Sequence, residues 1–524
     1  MTGASKGIAG SADHDGTSDY DNLPYLSLPI AFTQPTHLAG LAMLHGLTPC
    51  PDPERAHVLE LGCASGGNLL PLAARWPKAR FLGVDLSARQ IADGNRRIRY
   101  FRLDNVTLEV ADLADLRLPA QSFDYVICHG VFSWVPPAVQ GAILELIGRS
   151  LSESGVAAIS YNVLPGWHLR NPVKDLLRFY AGTDGSVQER VARARAALAA
   201  LDNYIGPGSY GALLRTEAKQ LAQIPSSYIL GEFLTEHNHP TQFLDFLAAA
   251  VAQGLEFIAE ADLDAGARSA LTREGVRHVD RLAETDRGRA SQELDFLSGR
   301  PFRRTLLRKR WVGRSPGLPL AAHLGGLHIA AHLSPDPKGT TDGRVTYLDR
   351  YGHPVSTRVP IIGNVLQRLS RSYPSTLPVA ALLGENGSER TRIAQTLLEL
   401  VRRGRALLSA LPIEVGRETD PRPKVWSFAR AEAAIGLPGV TSLHHVTVAL
   451  PRIGAAIASM SDGTRSSTEL ASWLASEITA GRVSLPEPVA NDADTNEVLG
   501  LAKRHVADTL QHLGASAVLA PAAA

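Results

Sequence analysis

The sequence predicts an α/β fold: a doubly wound, Rossmann-like parallel sheet carrying a helical insertion and further C-terminal domains. Three observations predict it. Between His57 and Asn162, short apolar runs alternate with helical segments, the pattern of βαβ units. A glycine turn, "LGCASGGN", separates the first run from the helix that follows. Asp85, Asp112 and His129 each stand just past the end of a later run, and in such sheets ligands gather at the carboxyl ends of the strands.

The elements follow in order. "HVLELG" is a strand, "NLLPLAARW" a helix, "RFLGVDL" a strand and "ARQIADGNRRIRYF" a helix. "VTLEVADL" and "FDYVICHG" are the third and fourth strands, "VQGAILELIGRSL" a helix and "GVAAISYN" the fifth strand. Residues 1–171 thus hold an N-terminal segment and a ligand-binding core. Residues 172–240 read as a helical insertion, from "VQERVARARAALAALDNYI" and "YGALLRTEAKQLAQI". In 241–312, "LEFIAEADL" and "FRRTLLRKRW" are predicted strands that complete the same sheet. Residues 313–430 pass from strands through two helices to an apolar run, a winged-helix-like succession, and 431–524 are mostly helical. His444 and His445 are adjacent, so a strand or helix would point them apart, which argues against a metal site there.

A chain of 524 residues is long enough for two or three domains. Lys+Arg of 53 against Asp+Glu of 52 leaves a charge of +1, which offers no broad electrostatic footprint for nucleic acid. The three cysteines are dispersed without metal-ligand spacing, as expected of a reducing compartment. The first twenty residues are rich in Gly, Ser and Asp and are expected to be mobile. They lack the apolar core of a signal peptide, and no apolar run spans a bilayer. A cytoplasmic protein is the expectation. "TGASKGIAG" resembles a dehydrogenase cofactor loop, but no strand precedes it and Ala9 replaces its last glycine.

The turn after the first strand does not have the glycine spacing of a dinucleotide loop. Its order is Glu60, Gly62, Cys63, Ala64, Ser65, Gly66, Gly67 and Asn68. An acid two residues before the first glycine suits a ligand with an ammonium group and sits badly beside a pyrophosphate. Asp85 is placed to accept ribose hydroxyls, and Asp112 to accept from an adenine amino group, with Leu86, Gln90 and Leu113 flanking them. Singly, Asp85 would serve as a helix cap and the glycines as a plain turn. As an ordered set at three strand ends they point to S-adenosylmethionine. Cys63 reads as a small apolar filler. His129 is expected to hydrogen-bond the adenosine side or take part in acid–base work. Phe132, Trp134, Trp167 and His168 are expected to line and close an acceptor channel, with Tyr161 and Asn162 holding the acceptor.

The run "VLELGCASGGN … GVDLSARQI … CHGVFSWVP … ISYNVLPGWH" resembles the class I methyltransferases with a methyltransferase regulatory domain, notably the rickettsial outer-membrane-protein lysine methyltransferases. The resemblance extends from "YDNLPYLSLPIAFTQPTHLAGLAMLHGL" through "YILGEFLTEHNHPTQFLDF" and "LDFLSGRPFRRTLL" to "MSDGTR". It implies a methyltransferase fold, a lid over the cofactor that includes Tyr20, Tyr25 and Thr33, dimerisation through the helical region, and transfer to lysine side chains of protein. Phe132 stands where a tyrosine is common, Gly231 where a histidine is usual and Gln242 where a tyrosine is usual. A small-molecule N- or O-methyltransferase is the second reading, and a cofactor-binding regulator the third.

Overall fold

The computed structural model describes residues 26–522, apart from 236, 312–314, 338, 340–342 and 485–494. The N-terminal segment expected to be mobile, with Tyr20 and Tyr25, lies outside the described residues. The chain divides into two compact units.

The larger unit, 27–168 with 237–524, is built on a seven-stranded sheet. Its strands are β1 (His57–Leu61), β2 (Arg80–Asp85), β3 (Val106–Val110), β4 (Phe123–Cys128), β5 (Leu151–Asn162), β6 (Leu255–Glu260) and β7 (Phe302–Lys309). Their order across the sheet is β3-β2-β1-β4-β5-β7-β6. Neighbours from β3 to β5 are parallel, while β7 runs antiparallel to both β5 and β6. The two late strands therefore complete the first sheet, as expected from their sequence. The strand order reverses between β1 and β4, so a crevice opens beyond Leu61 and Cys128.

Burial follows the parallel pattern. β1 and β4 are buried along almost their whole length, because helices cover both faces. One apolar cluster runs from Leu38 and Leu70 beneath the sheet through Ile329 and Leu408 to Ile457 and Leu519. A second, on the other face, joins Leu59, Val126, Ile143, Tyr161, Phe246 and Leu307. Beyond β7 come two small three-stranded sheets, one centred on Val345–Asp349 and the other on His328–Ala330. A hairpin of Gly439–Thr441 and Thr447–Ala449 follows, then helices Arg452–Met460, Ser467–Thr479 and Thr495–Ala515.

The smaller unit, residue 26 with 169–235 among the described residues, is mostly helical. It takes most of helix Gly166–Ala181, then Val187–Tyr204 and Ser209–Ala222, and ends in a π-helical turn, Ile229–Leu234. Ser186 and Glu189 form a reciprocal capping box on the second helix, satisfying two of its otherwise orphaned N–H groups. Among the described residues no helix is long and apolar enough to cross a membrane.

Candidate active site

The glycine turn is held from below by the neighbouring strand. Gly62 and Cys63 both donate their N–H to the Val84 carbonyl, at 2.8 and 3.0 Å. Gly62 turns at φ 76, and a methyl there would overlap Val131. Ala64 (φ 49) and Gly66 (φ 75) continue the left-handed path. Ala64 donates its N–H to Asp85 Oδ2 at 2.8 Å, and Ser87 N–H donates to Asp85 Oδ1 at 2.9 Å. The Asp85 carboxylate thereby ties the turn to the end of β2. It does not cap the next helix; Ser87 Oγ does, accepting from Gln90 N at 3.1 Å. Ser65 is buried. Cys63 fills the space above Gly83, and burial pushes its thiol far above the ordinary range, so it is no nucleophile at neutral pH.

Glu60, the last residue but one of β1, is almost fully enclosed. Its Oε1 accepts from Asn68 Nδ2 at 2.8 Å, whereas Oε2 is buried and meets no partner among the described residues. Burial pushes its carboxyl up to about 8, against the lowering pull of the Asn68 bond. A buried carboxylate oxygen left open is expensive unless a ligand fills it, and an ammonium group matches it in charge and donors. Asn68 Oδ1 in turn accepts from Ile30 N at 3.0 Å and faces Thr33 Oγ1 at 3.1 Å. Thr33 is fully buried, so it acts on the turn through Asn68. Gly67 N–H donates to Ser27 Oγ at 2.7 Å, which lays the 27–33 segment across the turn. Further along the crevice Leu86 is 71% exposed, an apolar side chain open beside Asp85. Asp112 is exposed, with Oδ1 accepting from Ala114 N at 2.9 Å, and Leu113 is half-buried.

His129 follows β4. Its ring lies edge-on to Phe32 (centroids 5.1 Å) and Phe302 (6.1 Å). Its Nδ1 is enclosed and partnerless among the described residues. Burial first, and then the Arg304 charge, push it down to about 4, so at pH 7 the ring is neutral.

The two residues that end β5 part company, because successive side chains on a strand face opposite ways. Tyr161 is fully buried, stacked on Phe246 at 4.0 Å, and Phe132 packs edge-on to both rings. Thr305 Oγ1 gives its proton to Glu260 Oε1 at 2.7 Å, so Tyr161 Oη donates to Thr305 Oγ1 at 2.9 Å. Glu260 also accepts from Arg303 Nη1 at 2.7 Å, and Arg303 forks onto Asp295. Tyr161 and Phe132 thus stand in this core. Asn162 faces the other way. It donates Nδ2 to Asn238 Oδ1 at 2.9 Å, and its N–H to Ser133 Oγ at 2.8 Å. His239 N–H donates to the Ser133 carbonyl at 2.8 Å. Trp134 meets Trp167 edge-on at 6.0 Å; Trp167 is fully buried and His168 exposed. Asn162, Trp134 and Trp167 therefore border one wall with Ser133, Asn238 and His239. Sequence reasoning did not single out those last three, although "TEHNHP" brackets two of them.

Three family models match the chain. A methyltransferase domain covers residues 58–155, a predicted methyltransferase regulatory domain covers 225–309, and a PKMT C-terminal winged-helix domain covers 421–518. An uncharacterized protein of Rickettsia prowazekii, RP028, is 37% identical over 235 residues, which cover 44% of this chain and 93% of that protein. The chain belongs to the class I methyltransferases that carry a methyltransferase regulatory domain. The methyl donor of these enzymes is S-adenosylmethionine. A second uncharacterized R. prowazekii protein, RP789, is 36% identical over 298 residues, 56% of this chain, and the match spans about half (53%) of that relative. Two solved structures of PKMT2 from Rickettsia typhi, one in complex with AdoHcy, align with TM-scores of 0.82 and 0.83. They are 24% and 25% identical, and the alignments cover 95% and 94% of this chain and 100% of each of theirs.

In this methyltransferase the regulatory-domain match includes β6 and β7, so that domain shares the catalytic sheet. The winged-helix match begins near the end of the 313–430 stretch read as winged-helix-like, and covers the stretch read as mostly helical.

Proposed function

We propose that this methyltransferase transfers a methyl group from S-adenosylmethionine to a lysine side chain of a protein in the cytoplasm. The observation that carries the reading is Glu60 Oε2, a buried carboxylate oxygen with no partner among the described residues, at the strand end where the cofactor's ammonium would sit. Likeness to PKMT2 along nearly the whole chain supports a protein acceptor. Glu60 would hold the amino group, the 62–68 turn would follow the amino-acid chain, and Asp85 the ribose. Leu86, Gln90, Asp112, Leu113 and His129 would surround the adenosine, Thr33 would act through Asn68, and Tyr20 and Tyr25 would contribute to the lid that the family resemblance implies.

When bound, the cofactor supplies an activated methyl group on a sulfonium. What remains for the protein is to align the acceptor nitrogen and exclude water. A lysine amine has an ordinary pKa of about 10.4 and must lose its proton to expose a lone pair. The Trp134 and Trp167 wall disfavours the charged form by desolvation. Asn162 would hold the neutral amine through its amide oxygen. His129, itself neutral, adds no positive charge to oppose the sulfonium. Tyr161 would fix the end of β5 from below. The exposed aromatic side chains Phe179, Tyr180, Tyr204 and Tyr210 of the helical unit support a homodimer formed through that unit.

The test is incubation of the purified protein with methyl-labelled S-adenosylmethionine and fractionated host lysate, with Asp85→Ala as the blank. Label on a lysine in the protein fraction, absent from the blank, is expected. Label confined to the small-molecule fraction would overturn the protein acceptor.

A further inference from the structure

The Asn68 side chain, which closes the cofactor turn, has a fourth partner from far along the chain. His445 Nε2 lies 2.8 Å from Asn68 Oδ1, a contact across 377 residues of sequence. Ile30 N–H already donates to that oxygen and Asn68 Nδ2 donates to Glu60, so the amide orientation is set. An amide oxygen only accepts; His445 is therefore the donor, as the neutral Nε2–H tautomer. Burial chiefly, with the nearby Arg75 charge, pushes the ring down to about 3, so it stays a neutral donor throughout the working pH range.

His445 is built into this place. It lies at φ 58 in the turn of the Gly439–Thr441/Thr447–Ala449 hairpin. The same turn is fastened to the methyltransferase core through the two residues just before His445. Leu443 O accepts from Arg75 Nη1 at 2.6 Å, and His444 O accepts from Gln34 Nε2 at 3.1 Å. His444 itself turns away, its Nε2 2.8 Å from Pro374 O. Phe428, from the same C-terminal region, packs on Phe101 with centroids 4.3 Å apart.

We propose that His445 of the winged-helix domain is a positioning residue for the cofactor: through Asn68 it aims Glu60 at the amino group of S-adenosylmethionine. A flipped Asn68 amide would turn its oxygen on the Glu60 carboxylate. Donors on the Oδ1 side prevent that, and His445 is the one supplied by another domain. The C-terminal domain is thereby part of the cofactor site. The inference rests on the placement of the cofactor's amino group at Glu60 made above.

The experiment compares two probes by calorimetry on the full chain: AdoHcy, and 5′-methylthioadenosine, which lacks the amino-acid part. Glu60→Gln checks the placement, by weakening AdoHcy and sparing methylthioadenosine. His445→Asn puts an amide where Nδ1 stands and loses the Nε2 donor, with a residue at ease at positive φ. It should weaken AdoHcy about tenfold, the size of one buried hydrogen bond, and leave methylthioadenosine within twofold. His445→Gln, whose amide nitrogen reaches the Nε2 position, should restore most of that loss. In the Glu60→Gln background His445→Asn should add little, since neighbours in one network are not additive. Equal weakening of both probes, or no effect on AdoHcy, would overturn the proposal while Glu60→Gln still behaves as expected. A Glu60→Gln variant that binds both probes like the parent would remove the placement itself, and the inference with it.

Discussion

Glu60 gives the sharpest quantitative consequence, because its proton competes with the cofactor. Without ligand the carboxyl is pushed up to about 8 by burial, yet an ammonium group needs the carboxylate. Below pH 8 each molecule of cofactor bound must expel a proton. The ionised fraction is about one in eleven at pH 7 and about one in a hundred at pH 6, one pKa unit being tenfold in equilibrium. The Kd for AdoHcy should therefore rise about tenfold between pH 7 and pH 6. Above pH 8 the Glu60 carboxylate is already formed, so the gain in affinity levels off. Methylthioadenosine, lacking the amino-acid part, should show no such dependence. The same shift has a sign for stability. The folded, ligand-free chain keeps a proton that the unfolded chain loses near 4.5, so this group's contribution falls as pH rises from 4.5 to 8. Calorimetry from pH 6 to 9 in buffers of different ionisation enthalpy reads the released proton directly. An AdoHcy Kd independent of pH, or no proton release at pH 7, would refute the reasoning.

Three shorter predictions follow. Gly67→Ala places a methyl against the Ser27 backbone; it should cost about 1–3 kcal/mol by overpacking, seen in a denaturant melt, and weaken cofactor binding as the 27–33 segment lifts. Tyr161→Phe takes one donor from Thr305. It should lower stability by about 1–2 kcal/mol while kcat with the labelled acceptor stays within a few-fold, and a hundredfold fall in kcat would put the hydroxyl back into the chemistry. Phe179 is 81% exposed, and Phe179→Glu should shift sedimentation from dimer to monomer with the methyltransferase melt unchanged.

Much of the methyltransferase core was legible because its signals are local. Strand-period runs, a turn with glycines at Gly62 and Gly66, and acids at successive strand ends are each written within a few residues. The two late strands were legible for the same reason, and β7 takes its place beside β5 through backbone pairing. Side-chain direction was harder. Tyr161 and Asn162 were both assigned to the acceptor, although strand alternation sends one to each face. Capping was also ambiguous: Asp85 and Ser87 are both good caps by composition, and only the Ala64 bond shows why the serine takes that task. Contacts between distant segments left no local trace. The Asn162–Asn238 pair needs the fold to bring it together, and His445 looked like one half of an uninformative dipeptide.

The His445 contact also bears on the order in which the molecule comes into being. A ribosome delivers this chain from its N-terminus, and domains tend to fold as they emerge. The strands β1 to β5 and the glycine turn are released long before the hairpin that donates to Asn68. Through most of synthesis the turn exists with one of its buried acceptor contacts unfilled, and it is finished only when residue 445 is free of the exit tunnel. Full affinity for the cofactor thereby waits for the hairpin at residues 439–449, and a product truncated before it would carry the whole glycine-turn motif without the His445 donor.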